Sequence, residues 1–277
     1  MRAGWGCLFC KSAKPISVEF QLSCKRMGQM SSILPVLFAS ALSLVSACIL
    51  PVHAQQSPPD SQPLQDNTTI STGSLLTEGK NYFAANNIPA ALNSFRQFAQ
   101  SSPNNIAVHF WIGFMLDQSG DSKGALAAYS KSLDLAKSVG MDSAELRINL
   151  GNSLAKLGYT KEPRFDYERA IIIDSLNPLA YLGLSKCLID AGEFDSALQA
   201  LARYESLNGR DTSVPLLRGL ALAGQGSLSA AQQQLRSYLT LTGAMNSSGQ
   251  PTQNGSSSGN TLQQLAFKVL NEIELMH

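Results

Sequence analysis

Histidine is nearly missing: His53, His109 and His277 are the only three in 277 residues. His53 falls in the N-terminal leader and His277 ends the chain, so a Ser-His-Asp or Cys-His arrangement would have to form around His109 alone. His109 lies beside Phe110 in a helical run, where packing or solvent contact is the simpler role. The body of the chain has no glycine-rich phosphate loop, no His-x-x-x-His pair and no cysteine pair. The expectation is a non-enzymatic protein without cofactor or metal. Charge is sparse as well, at 15% with a net +1, and no basic stripe occurs, which argues against nucleic acid as a partner. Four of the five cysteines, Cys7, Cys10, Cys24 and Cys48, precede residue 55. Cys7-x-x-Cys10 lacks the second pair or nearby histidine that a metal site needs. Cys187 is left without a disulfide partner, so the fold must rest on packing, with Cys187 read as a small buried hydrophobe.

The N-terminal part has the opposite character. Arg2, Lys11, Lys14, Lys25 and Arg26 stand against Glu19 alone, and SSILPVLFASALSLVSACIL (31–50) is uncharged and apolar. Val52 and Ala54 then occupy the −3 and −1 positions of a small-residue cleavage site. Residues 1–54 are read as a signal peptide. Two other readings stay open: acylation of Cys48 as a lipoprotein signal, and an uncleaved membrane anchor. Met27 or Met30 could be the true start. An exported protein follows, with a bacterial periplasm or envelope as the preferred setting, membrane anchoring as the alternative, and a membrane tether through the N-terminal segment as a possible contact.

Residues 55–71, rich in Gln, Ser and Pro, and 244–260, rich in Ser, Asn and Gly, are read as flexible linkers. Between them the sequence repeats. Gly79, Gly113, Gly151, Ser185 and Gly219 are 34, 38, 34 and 34 residues apart. Twelve residues after each stand Ala91, Ala125, Pro163, Ala197 and Ala231. Two further columns run in step: Phe95, Tyr129, Tyr167, Leu201 and Leu235, and the turn residues Asn86, Gly120, Gly158, Gly192 and Gly226. Small residues in two columns let paired helices cross closely, and the turn column supplies left-handed backbone that ends each first helix. Asp121, Thr160 and Ser227 are placed to cap second helices. A period of this size gives units too small to stand alone, which must stack.

These columns resemble the tetratricopeptide repeat family, with five units at 72–105, 106–143, 144–177, 178–211 and 212–243. Unit 1 carries Gly79, Tyr82, Ala91, Phe95 and Pro103. The resemblance implies an all-α, right-handed superhelical solenoid of helical hairpins whose first helices line a concave groove. The extra four residues of unit 2 amount to about one helical turn, so longer helices and a local protrusion are expected there. By column the groove is expected to present Leu76, Phe110, Ile148, Leu182 and Leu216, and Lys80, Phe114, Asn152, Lys186 and Leu220. Its apolar centre is expected at Phe110, Trp111 and Phe114, suited to a protein or peptide partner. Packing of these aromatics between neighbouring first helices is the competing reading. The carboxylate clamp of some family members needs lysine in the first of these columns, where there is none. Glu162, Asp166 and Glu168 are read as a solvated helix face.

Residues 261–277 form an amphipathic pattern, with Leu262, Leu265, Ala266, Val269, Leu270 and Ile273 on one side. Capping of the last repeat is the simplest role; filling the groove or binding another protein are the others. The functional expectation is a scaffold or adaptor for an envelope or secretion complex. The alternatives are a periplasmic peptide-binding chaperone and a lipid-anchored lipoprotein of pilus or cell-wall machinery.

Overall fold

A computed structural model describes residues 70–246, 248–252 and 260–275. The leader, its cleavage and lipidation sites, and nearly all of the first linker lie outside the described residues.

The described residues fold into eleven helices: α1 (Ile70–Ala84), α2 (Ile88–Ser101), α3 (Ile106–Gln118), α4 (Ser122–Ser138), α5 (Ala144–Lys156), α6 (Glu162–Ile173), α7 (Pro178–Asp190), α8 (Phe194–Ser206), α9 (Val214–Gly224), α10 (Leu228–Leu241) and α11 (Thr261–Glu274). Each odd helix up to α9 pairs with the next to form a hairpin, and each hairpin packs on the one before it. Among alternate helices, α3 touches α5, α5 touches α7 and α7 touches α9, so the first helices form a continuous row. The molecule is a solenoid of stacked helical hairpins.

The repeat columns have direct steric causes. A Cβ at Gly79 would lie 2.5 Å from the Phe95 ring, one at Gly113 2.7 Å from Tyr129, and one at Gly219 2.9 Å from Leu235, all too close for a real side chain. Across each crossing Ala91, Ala125, Ala197 and Ala231 are fully buried. Pro163 is buried in the first turn of α6, where its missing N–H breaks no helical bond. Gly151 lies 3.0 Å from Tyr167 by the same measure, and Ser185 is buried with its hydroxyl donating to the Leu182 carbonyl at 2.8 Å. The turn column is left-handed throughout, with φ of 56° at Asn86 and 75–86° at Gly120, Gly158, Gly192 and Gly226.

Several local expectations change. Asp121 caps α4, accepting from the Gly124 amide at 2.9 Å, but the N-cap of α6 is Lys161 rather than Thr160, and Ser227 makes no side-chain cap bond. The extra residues of unit 2 go into a 17-residue α4 and the loop after it, while α5 keeps 13 residues. Residues after α10, read as flexible linker, begin with an ordered turn: Ala244 and Met245 are buried, and Met245 bridges to Pro251. Two hydrophobic side chains there find the end of the last hairpin instead of solvent.

Asp166 is buried, contrary to its reading as part of a solvated face. Its Oδ1 accepts from Arg147 Nη1 at 2.8 Å, while Arg147 also donates from Nε and Nη2 to Asp142 at 2.9 and 3.0 Å. The network ties the α4–α5 loop to α5 and α6 at the one irregular step of the repeat.

Helix α11 packs on α10 and, less extensively, on α9. It buries Leu265, Ala266, Val269, Leu270 and Ile273. A capping box at Asn260 and Gln263 fixes its start, and Gln263 Nε2 also donates to the Thr242 carbonyl at 3.2 Å. Deleting 261–277 exposes this apolar face of the last hairpin, and the melting temperature should fall by on the order of 10 °C. An unchanged melting curve by circular dichroism would show that α11 contributes no stability.

Candidate functional site

The row of first helices is where the sequence places a partner surface, and its aromatic centre turns out to be core. Phe110 and Trp111 are each 6% exposed. Trp111 stacks on Phe95 with centroids 5.2 Å apart and meets Phe83 edge-on at 5.8 Å. Phe110 packs against Tyr129 at 5.7 Å, and half-buried Phe114 meets Phe83 edge-on at 5.5 Å. The competing reading, packing between neighbouring first helices, describes Trp111 and Phe114 against Phe83, while Phe95 and Tyr129 add second-helix partners for Trp111 and Phe110. Ile148, Leu182, Leu216 and Leu220 are also buried, at no more than 2% exposure, so none offers an open apolar surface. Leu76 is half-buried against α2 and α3.

Polar members of the same row remain accessible. Lys80 is exposed, its Nζ 5.7 Å from the Trp111 ring centre, a favourable position for a cation over an indole face. Asn152 is half-buried and its Oδ1 accepts from the Tyr167 hydroxyl at 2.7 Å, which orients the amide. Lys156, one turn further along α5, donates to both carboxylate oxygens of Asp117 on α3 at 2.7 Å.

Lys186 and Asp190 repeat this spacing on α7. Burial pulls the Lys186 ammonium below its ordinary range, against the opposing pull of Asp211, the Cys187 thiol and Asp190. Burial pushes the Asp190 carboxyl up to about 7 although Lys186 acts the other way, and its Oδ1 is buried without a hydrogen-bond partner. Two neighbouring first helices thus carry Asn152 and Lys156, and Lys186 and Asp190, each pair one turn apart. Amide and ammonium donors beside carboxylate acceptors can grip the backbone and charged side chains of an extended segment. Cys187 is not poised as a thiolate, since burial raises its thiol to about 12. Lys156 and Asp190 were missed from sequence; each sits four residues beyond a groove-column residue, and that offset was the available signal.

This architecture, hairpins stacked so that their first helices form one wall, defines a helical-repeat scaffold for protein–protein interaction. Residues 76–139, within the first two units, match a family model described as tetratricopeptide repeat. Among solved structures the fold is similar to MamA, with 21% identity, a TM-score of 0.53 and coverage of 61% of this chain and 90% of that one. It is similar to YrrB, titled a TPR protein with an unusual peptide-binding site, at 18% identity and TM-score 0.53, covering 70% of this chain and 90% of YrrB. It is also similar to PilW, titled a widely conserved type IV pilus biogenesis factor, at 16% identity and TM-score 0.55, covering 75% of this chain and 92% of PilW. No curated protein matches the sequence.

Proposed function

We propose that the protein is a non-enzymatic scaffold outside the cytoplasm, holding an extended segment of a partner protein against α5 and α7 during assembly of an envelope complex. The observation that carries this reading is the paired polar ladder Asn152–Lys156 and Lys186–Asp190, set in a row whose apolar members are buried except for half-buried Leu76 and Phe114. Hydrogen-bonding side chains between apolar walls suit main-chain recognition better than they suit a greasy helix. That favours an adaptor over a chaperone gripping apolar clients, because Phe110 and Trp111 are not on offer. The titled roles of YrrB and PilW support the peptide-binding and envelope parts of the reading. Export rests on the basic, apolar and small-residue order of residues 1–54, with lipidation at Cys48 as the anchored form.

The test uses the full chain expressed in its native cells, with a photocrosslinking residue in place of Lys80. One dominant crosslinked protein should appear in the envelope fraction, and Lys186→Gln, which leaves the Asn152–Tyr167 hydrogen bond in place, should remove it while the melting curve is kept. Equal crosslinking in that variant would overturn the ladder. Recovery of the protein only from the cytoplasmic fraction would overturn the setting.

A further inference from the structure

Second helices of a solenoid should turn a polar side outward, and α4 does so with Lys131, Asp134 and Lys137. Helix α6 does not. Its inner side is apolar through Pro163, Tyr167 and Ala170, yet its outer side exposes Phe165 by 58%, Ile172 by 71% and Ile173 by 38%. Leu176, just past its end, is 67% exposed, and the α4–α5 loop adds Val139 and Met141 at 58% and 52%. The contacts show that this is one patch. Asp142, next to Met141, lies 3.4 Å from Arg169 on α6, and the Arg147 guanidinium that Asp142 holds lies 5.9 Å from the Phe165 ring. The six apolar side chains together expose roughly 600 Å², the size at which a surface patch marks an interaction site.

We propose that this patch joins two copies of the chain through an antiparallel pairing of α6 with itself. Lys161, Phe165, Glu168, Arg169 and Ile172 follow helical spacing along one face, and Leu176 is exposed just past the helix end. This stripe is also self-complementary. With a two-fold axis between residues 168 and 169, Phe165 of one copy meets Ile172 of the other, Glu168 meets Arg169, and the Lys161 stem covers Leu176. Each of these contacts occurs twice, as an isologous interface demands. The side chains of Glu168 and Arg169 are 46% and 40% exposed; the Arg164–Glu168 pair is a surface ion pair that costs little to exchange, and Asp142, held at 2.9 Å by Arg147, keeps that partner if the longer 3.4 Å contact to Arg169 is given up. Phe165, Ile172, Leu176 and this polar rim form the centre of the contact, and Ile173, Val139 and Met141 extend the face toward the roughly 800 Å² per partner of a stable complex. The pairing uses the side of the molecule formed by a second helix and stands independently of the ladder on α5 and α7.

Crosslinking tests the register directly. The full chain is prepared in mild detergent with its five cysteines replaced by serine, as separate Phe165→Cys and Ile172→Cys variants. Oxidation of the mixture should give a covalent dimer, and oxidation of either variant alone should not. In the antiparallel pair two copies of one position stand about 10 Å apart along the axis, beyond disulfide reach. No dimer from the mixture, or equal dimer from each variant alone, overturns the proposal. In sedimentation equilibrium the unmodified chain should dimerise, and Ile172→Glu should weaken it roughly tenfold or more. Because Ile172 is 71% exposed, that variant should melt as the wild type does in dilute solution, where neither associates. Monomeric behaviour of the unmodified chain, or equal association of both proteins, also overturns it.

Discussion

Replacing Arg147 by methionine should destabilise the protein by about 3–5 kcal/mol, the range for breaking a buried ion pair from one side. For a body of this size the melting temperature falls by roughly 10 °C or more. The loss comes less from the missing attraction than from what remains, since Asp166, 5% exposed, would keep a carboxylate with no hydrogen-bonded cation, only the more distant charge of Lys137. Adding Asp166→Leu to Arg147→Met should therefore recover much of the loss, because it removes the stranded charge. Thermal melts of the single and double variants decide the matter: a single variant within a degree of wild type, or a double variant as unstable as the single, would refute this account. The two acids also respond oppositely to pH. Burial alone would push Asp142 up, but hydrogen bonds from Arg147 and Arg169 outweigh it and hold the carboxyl below its ordinary value. Its stabilising contribution is present above about pH 4 and disappears as pH falls through the lowered folded value. At Asp166 burial outweighs Arg147 and raises the carboxyl, so its contribution is fullest below about pH 4 and declines as pH rises through the folded value. The wild type should accordingly lose less stability in acid than Asp166→Asn, in which the Asp142 loss stands unopposed.

Gly183→Ala should be the most damaging of the small-residue substitutions. An added Cβ there would fall within the ring of Tyr167, which is 1% exposed and pinned by its hydroxyl bond to Asn152. Overpacking of this kind costs about 1–3 kcal/mol, and a rigid ring held on several sides places this case at or above the upper end. Gly151→Ala, which meets the same ring at 3.0 Å, should cost distinctly less. Melting both variants checks the order, and the reverse order would contradict the packing described. The clash also predicts coupling: Gly183→Ala should cost much less when Tyr167 is already leucine.

Gly183 and Asp166 illustrate what could and could not be read in advance. Gly79, Gly113, Gly151 and Gly219 stand out because the same helix crossing recurs in each hairpin and leaves the same mark. Gly183 serves a contact between hairpins, and its counterparts Thr77, Trp111, Asn149 and Leu217 share no property with it. Asp166 looks like one member of a charged run until the fold brings Arg147, nineteen residues earlier, beside it. Phe110 and Trp111 have the spacing of groove residues and also of core residues. The presence of Phe83 and Phe95 on neighbouring helices decides between the two, and that is a tertiary fact. Lys186 has the groove spacing as well and is half-buried on α7, where burial makes its charge costly.

The strictly serial contacts between helices bear on how the chain acquires this structure. Among the described residues every large interface joins helices adjacent along the chain, and the main contacts that skip a helix reach the next first helix or, in α11, the last hairpin. Low contact order of this kind goes with fast folding, on the microsecond to millisecond scale for helical proteins. No early segment waits for a late one to complete its interior. Hairpins can settle in the order in which they leave the ribosome, each offering the next a surface already in place.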